Sequence, residues 1–209
     1  MRSATARPPR TPAVFKAPRL LPTATRIPLL ETGAHLGSTE FLRRYDAMPD
    51  LKKAELIEGV VYMGSPVSAV KHADPDALLQ GWLAHYSVAT PGVRASINPT
   101  ICLSSDDTPQ PDATLRMLSD FGGRTSINER GLIQGAPELV VEIAASSAPL
   151  DVHKKFDMYR RFGAPEYFVW LTETPAVKWW ELFEDAYRPI LADKRGILRS
   201  KIFPGFMAR

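Results

Sequence analysis

Residues 138–159, ELVVEIAASSAPLDVHKKFDMY, join an apolar segment to a charged one. Residues 139–141 and Ile143 predict a strand buried on both faces. Glu142 interrupts this run, and a buried carboxylate is costly unless a metal ion or another group pairs with it. The stretch therefore predicts a central strand whose one acid faces a specific partner.

The elements around this strand predict a mixed sheet with helices packed on it, an α/β (α+β) fold. We expect helices from Ser38 to before Pro49, from Asp74 to Tyr86, and from Asp151 to Phe162 with a C-cap at Gly163. SINERGLIQGAP (126–137) reads as a polar connection with room for one helical turn. The predicted strands are the AELI/VVYM hairpin around Glu58-Gly59, VRASINPTICL as a pair or one bent strand, PDATLRM, residues 138–145, EYFVWL, and a VKWWELFE/YRPILA hairpin across Asp185.

Composition limits the classes of protein. Hydrophobic residues make up 44% of the 209 residues and charged residues 23%, as in ordinary globular proteins. Cys102 is the single cysteine, which excludes a disulfide framework or a cysteine zinc site within one chain. We therefore expect a reducing, cytoplasmic location. No apolar run approaches 18 residues, so we expect no membrane association.

The N-terminal residues 1–30 differ in composition from residues 31–209, which we expect to form a single domain. The first segment holds six of the 26 basic residues and none of the 23 acidic ones, so the remainder carries a net charge of −3. Its many prolines favour a disordered leader. A transit peptide and a basic arm on phosphates are the alternatives.

A second acid, Asp112, follows Pro111 and begins another apolar strand. If this strand neighbours the strand of Glu142, the two carboxylates converge, and like charges repel unless a cation lies between them. Paired oxygen ligands suit Mg²⁺ or Mn²⁺. On the following helix, Asp151, Lys155 and Tyr159 share one face, so Lys155 can supply a positive charge beside a scissile phosphate.

Further candidates are Glu55 or Glu58 on the first hairpin, and His72 before the second helix. Each residue also has a plain structural interpretation. Asp112 can begin a turn, and Asp151 can cap its helix. Glu142 can form a buried ion pair with Lys155, and Tyr159 can belong to the core. The functional interpretation depends on all of them occurring together.

Residues 38–205 resemble the Uma-two family of restriction-endonuclease-like proteins, within the PD-(D/E)XK nuclease superfamily. AELIEGVVYMGSPVSAVKH, Pro111-Asp112 and APELVVEIAASSAPLDVHKKFDMYRRFGAPEYFVW carry the resemblance. Its most specific part is an ordered set of residues: Pro137, Glu142, Ser146, Asp151, Lys155, Tyr159, Gly163, Glu166 and Tyr167.

The resemblance implies a restriction-endonuclease-like core that cleaves DNA with Mg²⁺ or Mn²⁺ held by Asp112 and Glu142, with Glu58 or Glu55 as a further acid. The superfamily places a lysine two residues after the second acid, where this sequence has Ala144. Lys155 on the next helix is then the candidate for that role. We expect DNA as substrate and a homodimer.

The alternative function is a catalytically idle module that binds nucleic acid or protein on the same fold, since only the site decides function. A metal hydrolase for small molecules has no supporting feature in the sequence.

Overall fold

The structure, a computed structural model, describes residues 27–64, 68–145 and 150–209, with the backbone alone at 151 and 152. In chain order the helices and strands are α1 (Ser38–Asp46), β1 (Ala54–Ile57), β2 (Val60–Met63), α2 (Asp74–Ala89), β3 (Val93–Ile97), β4 (Ile101–Cys102), β5 (Ala113–Met117), β6 (Ser126–Ile127), β7 (Ile133–Gln134), β8 (Leu139–Ala144), α3 (Phe156–Arg161), β9 (Glu166–Leu171), β10 (Ala176–Phe183), β11 (Ala186–Pro189), β12 (Leu198–Arg199) and β13 (Met207–Ala208). Short π-helical segments, π1 (Ala69–Ala73) and π2 (Leu150–Lys155), lead into α2 and α3.

The main sheet is mixed, as the sequence predicts. Its strand order is β11-β10-β9-β8-β5-β3, with β8 parallel to β9 and antiparallel to β5. β8 lies inside the sheet and every residue in it is buried. The parallel β8–β9 pair needs a crossover connection, and residues 145–165, which include π2 and α3, supply it.

Side chains alternate between the two faces of β8. Leu139, Val141 and Ile143 pack in the same cluster as Leu79 and Leu83 of α2. The opposite face, with Val140 and Ala144, packs in a cluster with Met158 and Tyr159 of α3 and with Ile57 of β1. Glu142 stands between Val140 and Ala144 on the α3 face.

The β1–β2 hairpin forms as predicted, around Glu58 and Gly59 with φ angles of 52° and 74°. Two successive positive φ angles are typical of the type I′ turn, whose twist matches that of the strands. Ala54 and Leu56 pack toward α1, together with Phe41 and Leu30. Glu55 and Ile57 therefore project from the other side of β1, toward the main sheet.

Two segments differ from the sequence predictions. SINERGLIQGAP contains no helical turn among its residues, all of which are described; it forms β6 and β7, which make a small sheet with β4. The Oδ1 atom of Asn128 accepts hydrogen bonds from the N–H groups of Arg130 and Leu132, and such local bonds favour a turn over a helix. VRASINPTICL supplies strands to two different sheets, β3 to the main one and β4 to the small one.

The C-terminal segment is fastened to β9 by a buried acid. Glu166 is fully buried and accepts hydrogen bonds from the Ser200 hydroxyl, from the N–H groups of Lys201 and Ile202, and from the Trp179 indole. Phe203 and Phe206 complete the cluster on the α2 face. This segment forms the β12–β13 pair, which was not predicted from the sequence.

The predicted leader reaches into the core at its last residue. Leu30 is buried, and its N–H donates to the sulfur of Met48. Residues 1–26 lie outside the described residues, so the leader prediction for them stays a prediction. Among residues 27–64, 68–145 and 150–209, no helix is both long and apolar enough to cross a membrane.

Candidate active site

Asp112 and Glu142 lie on the same face of neighbouring strands. β5 and β8 are antiparallel with Ala113 opposite Val141, and Asp112 and Glu142 come one residue beyond this pair. Directly opposite residues in such a pair have side chains within contact range. Both acids are almost fully buried, at 3% and 1% exposure. The structure thus brings together the two acids that the sequence singled out.

Glu142 faces the ammonium of Lys155. The Lys155 Nζ atom lies 3.0 Å from Glu142 Oε1 and 2.9 Å from Glu55 Oε2. All three residues are buried. Glu55 is further held by the Gln110 N–H, which donates to Oε1 at 2.8 Å. Lys155 therefore joins the β1–β2 hairpin to the central strand through a buried triad. This triad includes the Glu142–Lys155 ion pair that the sequence analysis gave as the structural interpretation.

Asp112 has a separate set of partners. Its Oδ1 accepts a hydrogen bond from Lys53 Nζ at 2.8 Å, and its Oδ2 accepts one from the Ile143 N–H at 2.7 Å. The His72 Nε2 atom lies 3.6 Å from the same Oδ2. In contrast to the buried acids, Lys53 and His72 have side chains that are 28% and 24% exposed. This pair forms the part of the site that meets solvent.

The charges around Asp112 favour ionised groups. Burial alone raises the pKa of Asp112, but the contact with His72 and the charge of Lys53 outweigh it and hold this pKa well below its usual range. The carboxylate of Asp112, 3.6 Å from the His72 Nε2 atom, raises the pKa of His72. Burial lowers the pKa of Lys53, but the charges of Asp112, Glu142 and Glu55 outweigh burial, and the net shift is upward.

Each π-helical segment places a basic side chain at the site. π1 places His72 beside Asp112, and π2 ends at Lys155. π1 is also anchored next to the end of β9, because Lys71 forms an ion pair of 2.8 Å with Glu173 and the Lys71 carbonyl accepts a hydrogen bond from the Thr172 hydroxyl. π-helical turns are rare and occur frequently at functional sites.

The other predicted candidates lie away from these acids or outside the described residues. Glu58 is at the hairpin turn, where its carboxylate lies 3.5 Å from Arg161 and lines a cavity of about 640 Å³ together with His35 and Asp107. Tyr159 is fully buried in the α3-face cluster, with its ring 5.2 Å from that of Tyr167. Ser146 and the side chain of Asp151 lie outside the described residues.

Lys53 was missed at the sequence level, although a signal for it exists. It stands two residues before Glu55, so in an extended chain both side chains project from the same side. A lysine two residues before an acid that faces the sheet can therefore reach the same site.

The carboxylates of the site suit a divalent ion that keeps several water ligands, rather than an ion enclosed by protein ligands alone. Among the described residues, no three His, Cys, Asp or Glu side chains form a preassembled metal-binding cluster. Asp112 and Glu142 nevertheless offer two carboxylates on paired strand positions, and Mg²⁺ is usually bound through one or two carboxylates plus waters and substrate phosphate. Glu55 is the adjacent third acid.

Comparison with known proteins agrees with this fold. A family model described as "Putative restriction endonuclease", Uma2, matches residues 39–208. The chain belongs to the Uma2 family. A solved structure similar to this Uma2 chain is described as a "putative nuclease belonging to DUF820" from Anabaena variabilis. The two share 16% sequence identity with a TM-score of 0.59, over 78% of this chain and 89% of that one. No curated protein matches this Uma2 chain.

These comparisons confirm the predicted family and the restriction-endonuclease-like fold. At the coarse level, the family and the fold of this Uma2 chain are those of nucleases, which are hydrolases.

Proposed function

We propose that the chain is a divalent-metal-dependent endonuclease that hydrolyses DNA phosphodiester bonds. The observation that carries the proposal is the convergence of Glu55, Asp112 and Glu142, from three separate segments, on one face of the central sheet. Carboxylates collected in this way, with solvent-facing cations beside them, suit both a metal ion and a phosphate.

In this proposal Asp112 and Glu142 hold Mg²⁺ or Mn²⁺, and Glu55 is the neighbouring acid. The ion, when bound, polarises the phosphodiester and lowers the pKa of bound water. Hydrolysis forms a bond from the water oxygen to phosphorus and breaks the bond to the leaving sugar oxygen. The water proton leaves to solvent, and the leaving oxygen takes up a proton.

The residues of the chain then orient the acids. The Ile143 N–H holds one oxygen of Asp112 at 2.7 Å, and the other oxygen accepts a hydrogen bond from the partly exposed Lys53. Lys155 assists by fixing the carboxylate of Glu142 relative to Glu55. His72, drawn toward its charged form by Asp112, offers a donor at the edge of the site.

The test is nicking of supercoiled plasmid in Mg²⁺ or Mn²⁺, with DNA binding measured separately in Ca²⁺. We expect Glu142→Gln to abolish nicking and the thermal stabilisation by Mn²⁺ while preserving the fold, because Glu55 remains as the partner of Lys155. The Glu58→Gln variant is the control: it makes the same change at an acid in the turn of the β1–β2 hairpin, which contacts Arg161 instead. Equal losses in the two variants would contradict the proposed metal ligands.

A second candidate is the catalytically idle binding module. Its supporting observation is that the site replaces the expected in-strand lysine with Ala144, while the acids are already paired with the cations Lys155 and Lys53. Wild-type protein that binds DNA in Ca²⁺ and nicks in neither metal would favour this module.

A further inference from the structure

We infer that Lys53 is the ammonium that contacts the substrate phosphate, a role the sequence would give to Lys155. The inference rests on the proposed function and names a residue outside the family motif. Lys53 immediately precedes β1 and lies beside Asp112 at the solvent-facing end of the site.

Lys155 is enclosed by the site that it stabilises. Its side chain is 3% exposed, and its ammonium lies within 3.0 Å of two carboxylates that are themselves buried. For a phosphate to reach this ammonium, it would have to displace Glu55 or Glu142. Leaving either carboxylate without its cation in a buried position is strongly unfavourable. Lys155 is thus a positioning residue.

Lys53 has the opposite environment. Its side chain is 28% exposed, yet its ammonium is held 2.8 Å from Asp112 Oδ1. It also stands two residues before Glu55, which shares Lys155 with Glu142, so it lies at the same site as these acids. An ammonium has three donors. One donor is used by Asp112, so the side chain can keep this hydrogen bond while another donor faces a phosphate.

In this role Lys53 donates a hydrogen bond and positive charge to the substrate and forms no covalent bond. It stabilises a non-bridging phosphate oxygen as negative charge develops there.

The neighbouring residue supplies a matched control. Lys52 is exposed, and its carbonyl accepts the Tyr45 hydroxyl. In an extended chain its side chain projects from the side opposite that of Lys53. Lys52→Met and Lys53→Met therefore remove the same charge from adjacent positions, one outside the site and one inside it.

The first measurement is the salt dependence of DNA binding in Ca²⁺, which does not require cleavage. Each phosphate contact contributes about 0.9 to the slope of log K against log salt concentration. We expect Lys53→Met to reduce the slope by about 0.9, Lys52→Met to leave it unchanged, and Lys53→Arg to restore it. If Lys53→Met does not fold by circular dichroism, Lys53→Gln, which retains a donor for Asp112, takes its place.

The second measurement is plasmid nicking by the same variants. We expect Lys53→Met to lower the rate by about 10² to 10³. Normal nicking together with an unchanged salt slope would overturn the role of Lys53 and leave the nuclease intact. A reduced slope in a protein that never nicks would uphold the phosphate contact and overturn the nuclease. Wild-type protein that does not bind DNA would overturn both.

Discussion

Lys155 and Lys53 both lie beside carboxylates, but the two lysines differ in burial. Lys155 compensates two buried acids, whereas Lys53 is a partly exposed partner of one acid that has other donors. At the residue scale, the stability of the site therefore depends mainly on Lys155. The chemistry of the site depends on the groups that solvent and substrate can contact, and Lys53 is one of these.

We predict that Lys155→Met lowers the free energy of unfolding by about 3–5 kcal/mol, because it leaves Glu55 and Glu142 buried without their cation. Lys154→Met is the control. The Lys154 ammonium is exposed and donates to the Tyr62 hydroxyl at 3.0 Å, so its loss should cost far less than the loss of Lys155. Urea unfolding measures both. Similar costs for the two variants would show that the triad contributes little to stability.

Glu166 provides a prediction about pH. Burial raises the pKa of this carboxyl, against the hydrogen bonds that it accepts. Because the folded pKa lies above the unfolded value of about 4.3, the contribution to stability is full below pH 4.3 and is lost as pH rises through the folded pKa. We expect unfolding free energies measured from pH 4 upward to show this decline, and Glu166→Gln to lack it. Parallel curves for the two proteins would exclude this titration.

The sequence identified some residues of the site and missed others for a physical reason. Glu142 and Asp112 stand out because a charge on an apolar strand conflicts with its surroundings. Lys53 precedes its strand in a polar stretch, LKKAE, where a lysine conflicts with nothing. The choice between Glu55 and Glu58 also stayed open in the sequence. The hairpin decides it: Glu55 is in β1 facing the sheet, and Glu58 is in the turn.

At the scale of elements, whether a strand or helix could be predicted from the sequence depends on the interactions that form it. The β1–β2 and β10–β11 hairpins are determined locally, and both occur where the turn residues predict them. The strands β6, β7, β12 and β13 have two residues each, too few to show the alternation that predicts a strand, and β7 also pairs with β4, far earlier in the chain. Likewise, π1 and π2 differ from α-helix only in hydrogen-bond register, which side-chain spacing does not reveal.

Two glycines give opposite predictions for the same substitution. Gly59 has a φ of 74°, so Gly59→Ala should destabilise the protein by about 1–2 kcal/mol. Gly81 lies inside α2 with nothing within 4 Å of an added Cβ, so Gly81→Ala should stabilise it by about 0.5–1 kcal/mol. Thermal and urea unfolding test both. A neutral Gly59→Ala would mean that the hairpin turn adapts without strain.

For the whole molecule, we predict that the folded body begins close to Leu30, the first buried residue among those described. We predict that deletion of residues 1–26, a segment rich in proline, leaves the melting temperature unchanged. Deletion of residues 1–30 should cost about 2 kcal/mol, because it also removes the buried Leu30 side chain. If the basic leader touches phosphates, both deletions should weaken DNA binding and flatten its salt dependence. A large loss from the shorter deletion would show that the leader stabilises the body.

The triad of Glu55, Lys155 and Glu142 spans half of the chain, and this has a consequence during synthesis. A nascent polypeptide that has left the ribosome only as far as residue 145 carries the acids Glu55, Asp112 and Glu142. It lacks Lys155, which neutralises Glu55 and Glu142. Its acids repel one another until residue 155 emerges and the next helix closes over the sheet. Ribosome-bound or truncated products that end before residue 155 would thus hold an unassembled site.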